Sequence, residues 1–210
     1  MESELFTIFN ENYEKLGTAT REEVHKKGYW HETFHCWFIK RENDEVKILF
    51  QLRSERKKES PNLYDITAAG HLLASETIED GVREIEEEIG ISLALENLHH
   101  LGMFKYRVVK DVYIDNEFAH VFLYETNYKM EDFKLQEEEV AGLIEVDFGN
   151  MRKLFMGESN EIEVNGFKNT MNGIVEIHEH VTKNSFVPHE TSYYHFILTS
   201  IQDYLQKSSV

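Results

Sequence analysis

"REIEEEIG", residues 83–90, sets four glutamates in five positions: Glu84, Glu86, Glu87 and Glu88. Like charges at helical spacing repel and weaken a helix, so the crowding needs a cause. On a wheel of about 100° per residue, Glu84, Glu87 and Glu88 share one arc, the i, i+3 and i+4 neighbours of a single face. Ile78, Val82, Ile85 and Ile89 form a separate apolar stripe, which predicts a core-facing side for a helix over residues 77–90. Glu86 points away from the acidic arc, toward solvent. An acidic run of this kind is most often a solvated face. Three convergent carboxylates are also the oxygen donors that Mg²⁺ or Mn²⁺ favours, and helix phase alone does not choose between the two readings.

Composition narrows the field. The chain has 210 residues, 22 basic and 39 acidic, for a formal net charge of −17. That balance argues against a nucleic-acid partner, which needs a basic footprint. It leaves room for a small anion, because a bound divalent cation reverses the local sign. Apolar residues make up 41% and aromatics 12%, enough for a buried core. A single cysteine, Cys36, has no internal disulfide partner, as expected in a reducing compartment. No stretch reaches the roughly 20 apolar residues of a membrane span, and the first residues carry no secretory pattern. A cytoplasmic location without membrane attachment is the expectation.

Residues 1–28 read as a hairpin and a short helix packed on the core, with Thr20 and Glu23 as a capping box and Gly28 as the stop. "HETFHCWFIK" and "VKILFQLRS" read as paired strands, and "LYDITAAGHLL" as a strand entering a glycine turn. Thr77 opens the acidic helix with Asp80 as its reciprocal residue, and Gly90 closes it. Two long strands follow, around a turn near Lys110 and Asp111. "VDFGNMRKLFMG" reads as a helix, and "SYYHFILTSIQDYLQK" as an amphipathic terminal helix. The core domain is placed at residues 29–158, with a C-terminal extension over 159–210.

The loop before the acidic helix settles what the carboxylates are for. "GHLLASETIEDGVREIEEEIGI" resembles the Nudix box, the loop–helix–loop signature of Nudix hydrolases. Gly70, Glu76, Arg83, Glu84, Ile85, Glu87, Glu88, Gly90 and Ile91 match its pattern. The resemblance implies a Nudix-type α/β/α sandwich, an α/β (α+β) fold with a mixed β-sheet. It further implies Glu84, Glu87 and Glu88 as metal ligands, with Glu84 and Glu87 catalytic. Gly70, Glu76, Arg83 and Gly90 would be the structural residues of the box. There is one departure: six residues separate Glu76 from Arg83, one fewer than the family spacing. This predicts a displaced Glu76–Arg83 pair, with Asp80 able to stand in.

"ILFQLRSERKKESPNLYDITAAGHLL" and "DNEFAHVFLYE" resemble the Nudix branch that includes isopentenyl diphosphate isomerase. From that resemblance, His71 and His31 match metal-binding positions, Asp115 and Glu117 an acidic strand, and Tyr106 an active-site tyrosine. Glu117 is assigned to metal, Tyr106 and Asp115 to substrate. Arg53 is a candidate contact for the substrate anion, with Lys57 and Lys58 beside it. Ala68 and Ala69 stand where the isomerase carries its catalytic thiol, which argues against isomerisation. Nudix hydrolases often draw a further glutamate from a later loop; "LQEEEV" supplies Glu137, Glu138 and Glu139, and Glu138 is favoured.

The expected function is therefore Mg²⁺- or Mn²⁺-dependent hydrolysis of a small-molecule diphosphate, such as a nucleoside diphosphate derivative. The alternatives are an isomerase-like enzyme and a non-catalytic ligand-sensing module. A homodimer stays open as the assembly.

Overall fold

The computed structural model describes residues 4–43, 45–110 and 113–207. Its N-terminal hairpin is β1 (Leu5–Phe9) and β2 (Lys15–Thr20), followed by α1 (Arg21–Lys27). The Thr20 hydroxyl accepts from the Glu23 amide at 3.3 Å, and Gly28 ends the helix in the left-handed region at φ 67°. These are the cap and stop that the sequence signals.

Strands β3 (Trp30–Glu42) and β4 (Glu45–Arg53) pair antiparallel, as expected. The "LYDITAAGHLL" stretch makes two short strands, β5 (Tyr64–Asp65) on β4 and β6 (Ala68–His71) on β3. A 3₁₀ turn at Asp80–Val82 leads into α2 (Arg83–Ile89). Next come β7 (His99–Lys110) and β8 (Tyr113–Glu125), antiparallel to each other, with β8 parallel to β3. Asp111, in the turn expected there, lies outside the described residues. The chain continues through β9 (Val140–Asp147), α3 (Phe148–Met156), a hairpin of β10 (Ile162–Thr170) and β11 (Gly173–Val181), and α4 (Thr191–Lys207). Among the described residues the strands form one mixed sheet, with the path β11-β10-β9-β4-β3-β1-β2.

Side chains alternate across a strand, so β3 feeds two cores. Trp37 and Ile39 join Tyr193, Ile197 and Ile201 of α4 and Leu154 of α3 on one face. Phe34, Cys36 and Phe38 join Ile85 and Ile89 of α2 on the other. The central strand is thus covered on both sides, which makes the sandwich. Ile85 and Ile89 are fully buried, and each such side chain contributes about 1.5–3 kcal/mol. The apolar stripe read from residues 78–89 is the face that fixes α2 to the sheet.

The helix expected from Thr77 begins later, at Arg83. Asp80 accepts from both the Thr77 amide and its hydroxyl, each at 2.8 Å. The bond to the Thr77 amide is the reciprocal half of a capping box. The chain then tightens into i→i+3 turns, with the Gly81 amide on the Ile78 carbonyl at 3.2 Å and the Val82 amide on the Glu79 carbonyl at 3.3 Å, before the regular helix begins. The β10–β11 hairpin carries no signal that the sequence reading used. It is anchored at two close approaches: a Cβ on Gly166 would lie 2.0 Å from the Leu143 carbonyl oxygen of β9, and one on Gly142 would lie 2.3 Å from the Phe167 carbonyl oxygen of β10. Gly166→Ala should therefore lower the melting temperature, by on the order of 5 °C. An unchanged thermal melt would contradict this packing of β10 on β9.

Candidate active site

β6 runs directly beneath α2. A Cβ on Gly70 would sit 2.0 Å from the Glu84 carboxyl carbon, so glycine leaves the space that the Glu84 carboxylate occupies against the strand. Arg83 fastens the approach. Its Nε donates to Glu76 Oε1 at 2.7 Å, and its Nη2 to Glu76 Oε2 at 3.0 Å. The same Nη2 reaches the His71 carbonyl at 3.2 Å, while Nη1 bonds Glu84 at 2.6 Å and Glu87 at 3.0 Å. The displaced Glu76–Arg83 pair expected from the short spacing is corrected here: the pair is intact and bidentate. The turns over residues 77–82 absorb the missing residue before the helix starts, and Asp80 caps Thr77 instead of replacing Glu76.

The acids differ sharply in surroundings. Glu88 is buried, and its Oε2 accepts from the Ala69 amide at 2.9 Å and from Gln51 Nε2 at 3.1 Å. Burial pushes its pKa up to about 8, with the charge of Glu84 adding to the rise. Burial also raises Glu84 to about 7, against the pull of Arg83. Glu87 is exposed and held by Arg83; Glu86 is exposed, as its helix phase predicts.

A second cluster lies on the strand side. His25 of α1, His31 of β3, His71 of β6 and Asp115 of β8 offer ligand atoms all within 4.8 Å of one another. His31 stacks on His71 and on Phe6, with ring centroids 5.1 and 5.5 Å apart. Burial pushes His31 down to about pKa 4, and His71 well below its ordinary range. Both imidazoles are therefore neutral near pH 7. Burial works against the Asp115 carboxylate, but the contact with His25 at 3.5 Å leads the interactions that pull its pKa below the ordinary range. The Nε2 atoms of all three histidines and Asp115 Oδ1 are buried with no hydrogen-bond partner. Four orphaned ligand atoms around one point fit a divalent cation, which would supply the partners the protein lacks. Imidazole suits Mn²⁺ or Zn²⁺ better than Mg²⁺, whereas the all-oxygen α2 set suits Mg²⁺ or Mn²⁺.

The NUDIX domain model matches residues 29–162. The chain belongs to the Nudix family. An uncharacterized Nudix hydrolase of Clostridium acetobutylicum is 36% identical over 204 residues, covering 97% of this chain and 99% of that protein. An isopentenyl-diphosphate Delta-isomerase of Aliivibrio fischeri is 33% identical over 107 residues, covering 50% of this chain and 59% of that one. A Deinococcus radiodurans crystal structure shares the fold at TM-score 0.55 and 16% identity, over 73% of this chain and 90% of that one.

The remaining candidates in this Nudix protein are placed as follows. Asp115, assigned to substrate from sequence, sits instead among the three histidines. Glu117 is buried beside that set, accepting from Thr33 at 3.3 Å and facing His35 at 3.6 Å. Tyr106 pairs in register with Glu117. Arg53, proposed for the substrate anion, directs its donors inward to Asp65 at 2.7 Å and to the Glu59 and Ser60 carbonyls. The favoured Glu138 is turned outward, its side chain 74% exposed. Glu139 is the residue of that loop that acts electrostatically on Glu88. Cys36 is buried in the apolar core, where burial pushes its thiol well above the usual range.

Four residues escaped the sequence reading: His25, Gln51, Asp65 and His189. His25 falls six residues before His31, across a helix end and a strand start, so no single-element periodicity pairs them. Among the described residues no helix is long and apolar enough to cross a membrane.

The buried acids give a stability signature. Glu84 and Glu88 have folded-state pKa values above their unfolded ones. Their stabilisation is therefore fully present below about pH 4.3 and lost as pH rises through about 7 and 8. His31 and His71 act oppositely, but only below about pH 6.5. In chelator, the melting temperature should thus fall between pH 6.5 and 8.5, by on the order of 5 °C. Glu88→Gln should flatten that slope. An unaltered slope in the variant would contradict the burial assigned to Glu88.

Proposed function

We propose that this Nudix protein hydrolyses a phosphoanhydride bond in a small organic diphosphate, such as a nucleoside diphosphate derivative. What supports the reading is the set Glu84, Glu87 and Glu88 on α2, held by Arg83, together with a second set of buried ligand atoms, the Nε2 atoms of His25, His31 and His71 and Asp115 Oδ1, that make no hydrogen bond. Glu84, Glu87 and Glu88 would hold Mg²⁺ or Mn²⁺, and His25, His31, His71 and Asp115 a second divalent cation. Bound there, such cations supply charge neutralisation of the diphosphate oxygens.

The protein's own part is proton transfer and orientation. A general base must be an ionised group within reach of the attacking water, and the acids on α2 are the candidates. Glu84 accepts a proton from water as the water oxygen bonds to phosphorus. The anhydride P–O bond breaks, and the departing phosphate keeps its electron pair. Arg83 holds Glu84 and Glu87 in place through this step. Glu139, rather than the exposed Glu138, is the loop carboxylate nearer in effect to Glu88.

Isomerisation is disfavoured by Ala69, and Cys36 offers no substitute because its thiol is buried and protonated. The retained carboxylates argue likewise against a module that only senses its ligand.

The test is a panel of ADP-ribose, diadenosine tetraphosphate and isopentenyl diphosphate with Mg²⁺ or Mn²⁺, read by phosphorus and proton NMR. At least one compound should be cleaved at a phosphoanhydride bond, EDTA should stop the reaction, and the isopentenyl skeleton should stay unrearranged. Glu87→Gln should cut turnover by about 100-fold or more, while Glu86→Gln stays within about twofold. Full turnover in EDTA, or equal damage from both substitutions, would contradict the proposal.

A further inference from the structure

β11 lies at one end of the sheet and pairs, among the described residues, only with β10. An open edge invites another chain, and folded proteins blunt such edges with bulges, short strands and basic side chains. Two other one-sided strands show those devices. β2 is short, carries Lys15 and Gly17, and slips register against β1. β7 shifts register between His100 and Gly102 and carries Lys105 and Arg107. β11, "GIVEIHEHV", has none of them: its nine residues hold one register on β10, without lysine, arginine or proline. Its apolar residues near the loop are open too, Ile174 at 73% and Val175 at 45% exposure.

The direction of each backbone group follows from the hairpin. β10 and β11 close on Thr170 and Gly173 around a two-residue loop, which makes that pair a hydrogen-bonded one. Bonding alternates from there, so Val175, Ile177, Glu179 and Val181 turn their N–H and C=O groups to β10. Ile174, Glu176, His178 and His180 turn theirs outward, and their side chains are all exposed.

We propose that β11 pairs antiparallel with β11 of a second copy of this chain, joining the two sheets about a two-fold axis at Ile177. In that register Ile174 faces His180 of the second copy, Glu176 faces His178, and Ile177 faces its own counterpart. All four outward residues are then bonded, with about eight N–H···O bonds across the seam. The side chains select this register over its neighbours. Moving the axis one residue toward the loop sets Glu176 against Glu176, and one residue the other way sets His178 against His178. Like groups directly opposite are unfavourable, whereas a Glu–His pair is complementary. The contact uses the same patch on both copies, so it closes at two. β10, β9 and β4 separate β11 from β3 and its histidines, so the pairing does not depend on the hydrolase reading.

Sedimentation velocity of the full chain should show a dimer at about 100 µM, the range of a small interface. His178→Glu sets a like charge against Glu176 on both sides of the axis and should weaken dimerisation about tenfold. Adding Glu176→Lys reverses both pairs and should restore the dimer. Leu16→Lys, on the exposed strand β2, should leave it unchanged. Ile177→Cys should oxidise to a disulfide-linked dimer faster than Val175→Cys or Glu179→Cys, because only residue 177 meets itself. The native Cys36 is buried and does not compete. The charge-swap arm reads out even if the cysteine variant fails to fold. A monomer at every concentration, including one whose β11 captures an extended peptide instead, would overturn the proposal. So would a dimer indifferent to His178→Glu, a double variant that stays monomeric, loss of the dimer with Leu16→Lys, or equal cross-linking at residues 175, 177 and 179.

Discussion

The Arg83 guanidinium ties the acidic helix to the strand before it, bonding Glu76, Glu84, Glu87 and the His71 carbonyl, while Gly70 leaves the space that the Glu84 carboxylate fills. A methyl at residue 70 would collide with Glu84 at 2.0 Å. A lysine at 83 could not serve two carboxylates, a third in the loop and a backbone carbonyl at once, because only guanidinium offers five donors in a fixed fork. His71 follows Gly70 directly, so whatever positions the helix also positions the histidine cluster. The two groups of candidate ligands are one construction rather than two.

That construction stores unfavourable electrostatics. Burial raises the pKa of Glu88 and of the half-buried Glu84, and three imidazoles meet an aspartate with inner nitrogens that make no hydrogen bond. Buried polar groups are normally satisfied because each orphan costs about 1–3 kcal/mol. A set of orphans converging on one point, in a fold otherwise well bonded, is what a site kept for a cation looks like. Elsewhere the same sheet resolves its buried charges locally, as when Asp65 takes Arg53 on one side and His189 on the other.

Much of this could be read along the chain wherever the information is local. The Thr20 cap, the glycine stops at Gly28 and Gly90, the inward phase of Ile85 and Ile89 and the outward phase of Glu86 all depend on neighbours within one helix turn or two. The box pattern brought the fold with it. What was illegible depends on contacts far apart in sequence. Asp115 meets His25 and His31 only because β8 runs parallel to β3, and His189 reaches Asp65 across 124 residues. The Glu76–Arg83 pair departs from the sequence expectation for a different reason: residue counting assumes a regular helix, and the backbone over residues 77–82 closes i→i+3 turns instead. Glu138 and Glu139 are adjacent in the same loop, and only the fold decides which one turns inward.

The convergent side chains of α1, β3, β6 and β8 form a candidate cation site, reached through the residue that follows Gly70. Anomalous diffraction from crystals grown with Mn²⁺ tests it directly. The account predicts a peak bounded by His25, His31, His71 and Asp115, within about 2.0–2.3 Å of the imidazole nitrogens. A map from saturated crystals with density only on surface carboxylates, or with the four side chains closed on one another around no ion, would contradict it.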